Sequence, residues 1–214
     1  KPDNPPEPVD PDEPDGPDNP PEPDNPSDPS EPADPSEPTT PEGPATDNSD
    51  GWTAIEDELD AATGGDTITV DMNGTTDVPA AVFETVAGKD VDVTFELEDG
   101  VSWTVNGQDI PEGVSLSDLD LGVTLNNDGI PVDVINTITG ERDTVQMTLA
   151  HDGDFGFTMT LTAPLGAENG GYWANLYYFD EDAERLTFET AAEIDDDGSV
   201  SLSLSHASQY AIVI

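Results

Sequence analysis

Only two histidines occur in the 214 residues, and both stand where chemistry is conceivable. His151 continues the alternation of Val145, Met147 and Leu149, and His206 continues that of Val200, Leu202 and Leu204. Each falls on a core-facing register at what reads as a strand end. Imidazoles so placed could ligate a metal or form an acid–base pair. Two ligands fall short of a zinc site unless carboxylates such as Asp152 or Asp154 join them. The simpler reading makes both structural corner histidines that satisfy loose backbone groups where strands end. Ser208 lies two residues beyond His206 on the same face, yet no Gly-x-Ser-x-Gly elbow presents a nucleophile, and a Ser-His-Asp site is defined by geometry. No catalytic or metal-ligating set follows, so the sequence predicts a module that is not an enzyme and has no cofactor.

Carboxylates dominate the remaining polar chemistry. There are 49 Asp plus Glu against four Lys plus Arg, a formal net charge of −45. Residues 1–50 hold 16 acids and one Lys, so most of the excess belongs to the rest of the chain. Nucleic acids and anionic membrane surfaces are bound through Lys and Arg; both are excluded as partners. With so many acids, a carboxylate pair of the glycosidase kind is unavoidable and uninformative. Glu193, Asp195, Asp197 and Gly198 match the start of a calcium loop, but its twelfth position is Leu204 rather than Glu. Asp196-Asp197-Gly198 reads instead as a hairpin turn, and only incidental Ca2+ binding is expected. Lys89 is the one Lys after residue 50; it follows the helix-ending Gly88 and reads as a solvated loop residue.

The aromatic run Tyr172-Trp173-Ala174-Asn175-Leu176-Tyr177-Tyr178-Phe179 offers a binding surface. If Ala174 and Leu176 face the core, Trp173, Asn175, Tyr177 and Phe179 point outward. A flat aromatic row with an amide, here Trp173, Asn175 and Tyr177, suits stacking on a sugar ring. The alternative is a strand buried on both faces or covered by a helix.

Two helices and a series of strands must position these groups. Trp52, Ile55, Leu59 and Ala62 recur at helical spacing, with Thr53 and Glu56 spaced as a capping box and Gly64-Gly65 as the stop. Pro79, with Val82, Phe83 and Val86 before Gly88, predicts a second helix. Elsewhere the alternation has period two: Ile68–Met72, Val91–Leu97, Val101–Val105, Leu119–Leu125, Val145–Leu149, Phe155–Leu161, Tyr172–Phe179, Leu186–Thr190, Val200–Leu204 and Tyr210–Ile214. Asp99-Gly100 fits a tight hairpin turn. The expected architecture is α+β: a small two-helix α+β unit over 51–115, then an antiparallel β-sandwich over 116–214.

Residues 1–50 are different. Proline occupies position 2 and every third position through Pro44, which places these prolines along one edge of a polyproline II helix. Fixed φ angles and like charges extend such a segment, to roughly 140 Å over residues 1–45 at the polyproline rise. A spacer or stalk is expected.

Three stretches carry a resemblance: Val70-Asp71-Met72-Asn73-Gly74 with Val78-Pro79, the run from His151 through Phe157, and the ending from His206 to Ile214. They resemble β-rich modules near the C-termini of large secreted or wall-attached proteins of gut Firmicutes and Actinobacteria. That resemblance implies an extracellular, cell-surface location and no transferable catalytic residues. Partners would be a cell-wall, host or dietary glycan, or another surface protein. No apolar run reaches the ~20 residues needed to span a bilayer, so no membrane insertion is expected. Lys1 at the start and a strand at the last residues suggest a piece of a longer protein.

Overall fold

The computed structural model describes residues 49–113, 115–140 and 142–214. The stalk expected over residues 1–50 lies outside them, except for the last two, where the first helix begins. Three helices and an eight-stranded mixed sheet make an α+β architecture, with a separate two-stranded sheet.

Helix α1 (Ser49–Ala61) starts four residues before the capping box read at Thr53, which therefore lies inside it. Its apolar stripe buries Ile55 and Leu59 completely. The helix carries no basic residue in its last turn, and Lys89 supplies the missing cation from elsewhere. Its Nζ donates to the carbonyls of Leu59 at 2.9 Å and Asp60 at 3.2 Å. These are end-of-helix acceptors with no partner of their own, and an ammonium there also meets the negative end of the helix dipole. Lys89 is thus a C-terminal cap, not a free loop residue.

Strand β1 (Thr67–Asp71) leads through β2 (Asp77–Val78) and helix α2 (Ala80–Val86) to β3 (Asp92–Glu96). Strands β1 and β3 pair in parallel, which demands the crossover that α2 provides. Pro79 precedes the helix in extended backbone. Strand β3 then pairs antiparallel with β4 (Ser102–Asn106) around Asp99 and Gly100, at φ 60° and 75°. Those left-handed angles match the tight turn read from the sequence.

The stretch read as one strand over Leu119–Leu125 is divided. Strand β5 (Leu119–Asp120) pairs with β2, and β6 (Val123–Asn126) joins the main sheet. Helix α3 (Val132–Thr139) follows, an element the periodicity did not reveal. Strands β7 (Thr144–Pro164), β8 (Trp173–Asp180), β9 (Arg185–Glu193) and β10 (Ser199–Val213) complete the order β1-β3-β4-β7-β10-β8-β9, with β6 also on β7. The boundary expected near residue 115 interrupts neither sheet nor core. Strand β4 pairs with β7, and Phe83 of α2 stacks 5.2 Å from Phe157 of β7. Trp103, buried against Phe155 at 5.6 Å, donates its indole N–H to Leu121 O at 2.9 Å. Among the described residues no helix is long and apolar enough to cross a membrane.

Two substitutions test this packing. Lys89→Met should cost about 1 kcal/mol in urea unfolding, whereas Asp60→Asn, at an exposed carboxylate, should change stability by less than about 0.5 kcal/mol. Gly198 has φ +88°, and a Cβ there would run into the backbone of Gly166 and Ala167. Gly198→Ala should therefore cost more than about 2 kcal/mol. Gly171→Ala, at φ +80° in open space, should cost about 1 kcal/mol.

Candidate functional site

The aromatic run occupies β8, and its alternation survives in the structure. Ala174, Leu176 and Tyr178 turn toward the main core, while Phe179 and Tyr177 belong to a second cluster on the opposite face. That cluster contains Ile130, Val134, Ile135, Leu186 and Ala211. Helix α3 therefore covers one end of the face that was read as open. Phe179, expected to point outward, is buried beneath it. Tyr177 is half-buried and meets Phe188 edge-on at 5.6 Å. Asn175 commits its amide to the backbone, donating to the carbonyls of Trp173 and Val213 at 3.2 Å each.

The other end of the face is open. Trp173 is 57 % and Phe188 54 % exposed on it, while Tyr172, 60 % exposed, stands in the bend before β8, hydrogen-bonded to Ile194 of the main core. Phe188 is on this face by alternation from Leu186 and stands opposite Tyr177; beyond it β8 and β9 shift register between Leu176 and Tyr177, leaving Glu189 as the extra residue on β9. Of the residues read as a platform, Trp173 is presented to solvent, Tyr177 is half covered and Asn175 is engaged. Sequence reasoning missed Tyr172 and Phe188. The first stood beside Trp173 in the run, and the second shares a face with Leu186 two residues away.

The histidines do not sit at strand ends. Strands β7 and β10 run on through both, and the ladder between them changes register between Leu204 and His206 and again between Ala207 and Gln209. These irregularities hand the buried position from Leu204 to Ala207 and back to Tyr210, leaving His206 and Ser208 half-buried. His206 pairs with Asp154 in the ladder, and its ring lies 5.4 Å from Tyr178 and 5.7 Å from Tyr210. His151 lies 5.6 Å from Phe155 instead. Each imidazole packs on its own aromatic neighbours. Among the described residues no group of three or more His, Asp or Glu side chains is arranged to hold a metal ion.

The turn after β9 is closed by its own hydrogen bonds. Asp197 Oδ1 accepts from the backbone N–H of Ser199 at 2.9 Å and from its hydroxyl at 2.7 Å, and these bonds hold its carboxyl below the usual range. Gly198 N donates to Asp195 O, closing the turn. It does not form a hairpin, because β9 and β10 flank β8 and do not pair.

A cleft of about 390 Å³ opens between Thr76, Glu98, Val101 and Thr124. It is bordered by the Asp71–Gly74 turn, in which Asp71 Oδ1 accepts from Asn73 N at 2.9 Å.

Among the described residues Tyr210 is a buried phenol that the fold perturbs. Its hydroxyl donates to His206 O at 2.9 Å, and burial, with Glu189 and Tyr178 adding, pushes its phenol above the ordinary range. An unfolded phenol ionises near ~10, so above that pH the folded state retains a proton that the unfolded state has lost. This contribution is whole below about pH 10 and falls away as pH rises further. Tyr210→Phe should cost about 1 kcal/mol at neutral pH and flatten the loss of stability above about pH 10. Urea midpoints at neutral and alkaline pH check this, and parallel losses in both proteins would contradict it. Set against known proteins, the chain matches no family model, no curated protein and no solved structure.

Proposed function

We propose that residues 51–214 form a β-sandwich-like, non-catalytic interaction module of a larger extracellular bacterial protein, held out on the Pro-rich stalk of residues 1–50. The observation that carries this reading is the open end of the β8–β9 face. Tyr172, Trp173 and Phe188 are each more than half exposed, while the other aromatic side chains of the described residues are buried or half-buried. Full burial of a large apolar side chain is worth about 1.5–3 kcal/mol. Two such side chains, Trp173 and Phe188, left wet on one face of the strand pair, with Tyr172 beside them in the bend before β8, make a surface that gains from being covered by a partner.

The sequence of residues 1–50 supports the location, since a Pro-rich acidic run suits a spacer that holds a module clear of a surface. A second, narrower reading is a carbohydrate-binding module, favoured by the exposed indole of Trp173, whose flat face suits the C–H face of a pyranose. The reach of such a surface is set by α3, which closes the Phe179 end.

Retention of residues 1–214 on isolated bacterial cell walls and on a glycan array tests both readings. Trp173→Ala and Phe188→Ala together should weaken retention tenfold or more and leave the melting temperature within a few degrees. Retention untouched by the double substitution would contradict the assignment of this surface.

A further inference from the structure

We propose that the glycan taken by the β8–β9 face carries free amino groups, an inference that rests on the carbohydrate reading above. The register sets Trp173 directly opposite Glu193, and both are exposed. Side chains facing one another across a strand pair stand about 5 Å apart at Cβ, so a carboxylate stands beside the indole. Beyond Glu193 the chain turns through Asp195, Asp196 and Asp197, all exposed. That turn is held against the start of β8: Gly171 N donates to Ile194 O, and Ile194 N to Tyr172 O, each at 2.8 Å. Tyr172 and Trp173 therefore sit at an acidic rim.

Among the described residues no basic group pairs with it. Lys89 is committed to α1, and Arg185 pairs with Asp180 at 3.7 Å, at the far end of the β8–β9 ladder. Arg142, exposed just before β7 and two strands from the start of β8, forms no ion pair with these carboxylates. Among the described residues no Lys or Arg forms an ion pair with Glu193, Asp195 or Asp196. An ammonium over or beside the indole would gain from the ring face and from the carboxylate together. A carboxylate, sulfate or phosphate group would be repelled there. The net charge of −45 acts in the same direction, drawing cations and turning away anions. Trp173 and Tyr177 lie four residues apart along β8, about 13 Å, and Phe188 stands beside Tyr177. That span exceeds one pyranose ring and suits an oligosaccharide.

The test titrates residues 1–214 calorimetrically, at physiological salt, with a short β-linked glucosamine oligosaccharide and with its fully N-acetylated counterpart. The free-amine form should bind at least about fivefold more tightly. Glu193→Gln should erase that preference, and Trp173→Ala should weaken binding of both forms about tenfold; both sites are exposed, and thermal melts verify folding. Equal binding of the two forms with Trp173 dependence intact would overturn the amine inference and leave the carbohydrate reading standing. Binding of neither form would overturn both. Amine binding indifferent to Trp173→Ala would reduce the effect to general attraction by a polyanion and overturn the site. A Lys- and Arg-rich peptide that bound as tightly, with the same Trp173 dependence, would move the ligand from glycan to protein and overturn it as well.

Discussion

The ladder between β7 and β10 is the constraint on which the rest of residues 49–214 depends. It runs antiparallel from Ser199 opposite Pro164 to Val213 opposite Thr144. One edge of β7 is filled by β10, and its other edge is shared by β4 near Thr160–Thr162 and β6 near Gln146–Leu149. Through β4 the ladder holds the parallel β1–β3 pair and its crossover helix; through β10 it holds β8 and β9. Backbone pairing and apolar burial act together here, since Met159, Leu161, Val200 and Leu202 enter the same core as Phe83 and Phe95.

The irregularities in that ladder are as consequential as its length. Between Leu204 and Gln209 the two strands lose simple register, and Gly153, at φ +95°, lies opposite Ala207 where they do so. At each shift β7 advances five residues against two on β10, and such extra residues bend a strand and re-aim its side chains. The result is a local group in which His206, Tyr178 and Tyr210 pack together without the alternation of a regular strand. A shift between β8 and β9 leaves Glu189 unpaired and sets Glu193 opposite Trp173. The candidate contact surface thus combines regular alternation at Phe188 with a local break beyond it, and its limit follows from α3.

Much of the fold was legible because periodicity reports burial directly. Ile55 and Leu59 in α1, Val82, Phe83 and Val86 in α2, and the alternating residues of β1, β3 and β4 are buried as their spacing predicts. Two long strands were read as four short ones, because Gly153, Gly156 and Ser208 interrupt the apolar pattern where the ladder is irregular. Helix α3 escaped because its eight residues are rich in Val, Ile and Thr, whose β-branched side chains are poor helix signals. Within the candidate site, exposure of Trp173 followed from alternation alone. Burial of Phe179 did not, since it depends on a helix brought in from 40 residues earlier in the chain. The role of Lys89 was hidden for the same reason: its acceptors lie on another element.

Native-state hydrogen exchange with site resolution tests most directly whether one ladder organises residues 49–214. Amides of β3 and β4, from the part before residue 115, should share the slowest exchange class with those of β7 and β10, and all four strands should shift together with added urea. Two distinct opening free energies, one for strands before residue 115 and another for those after it, would contradict the account.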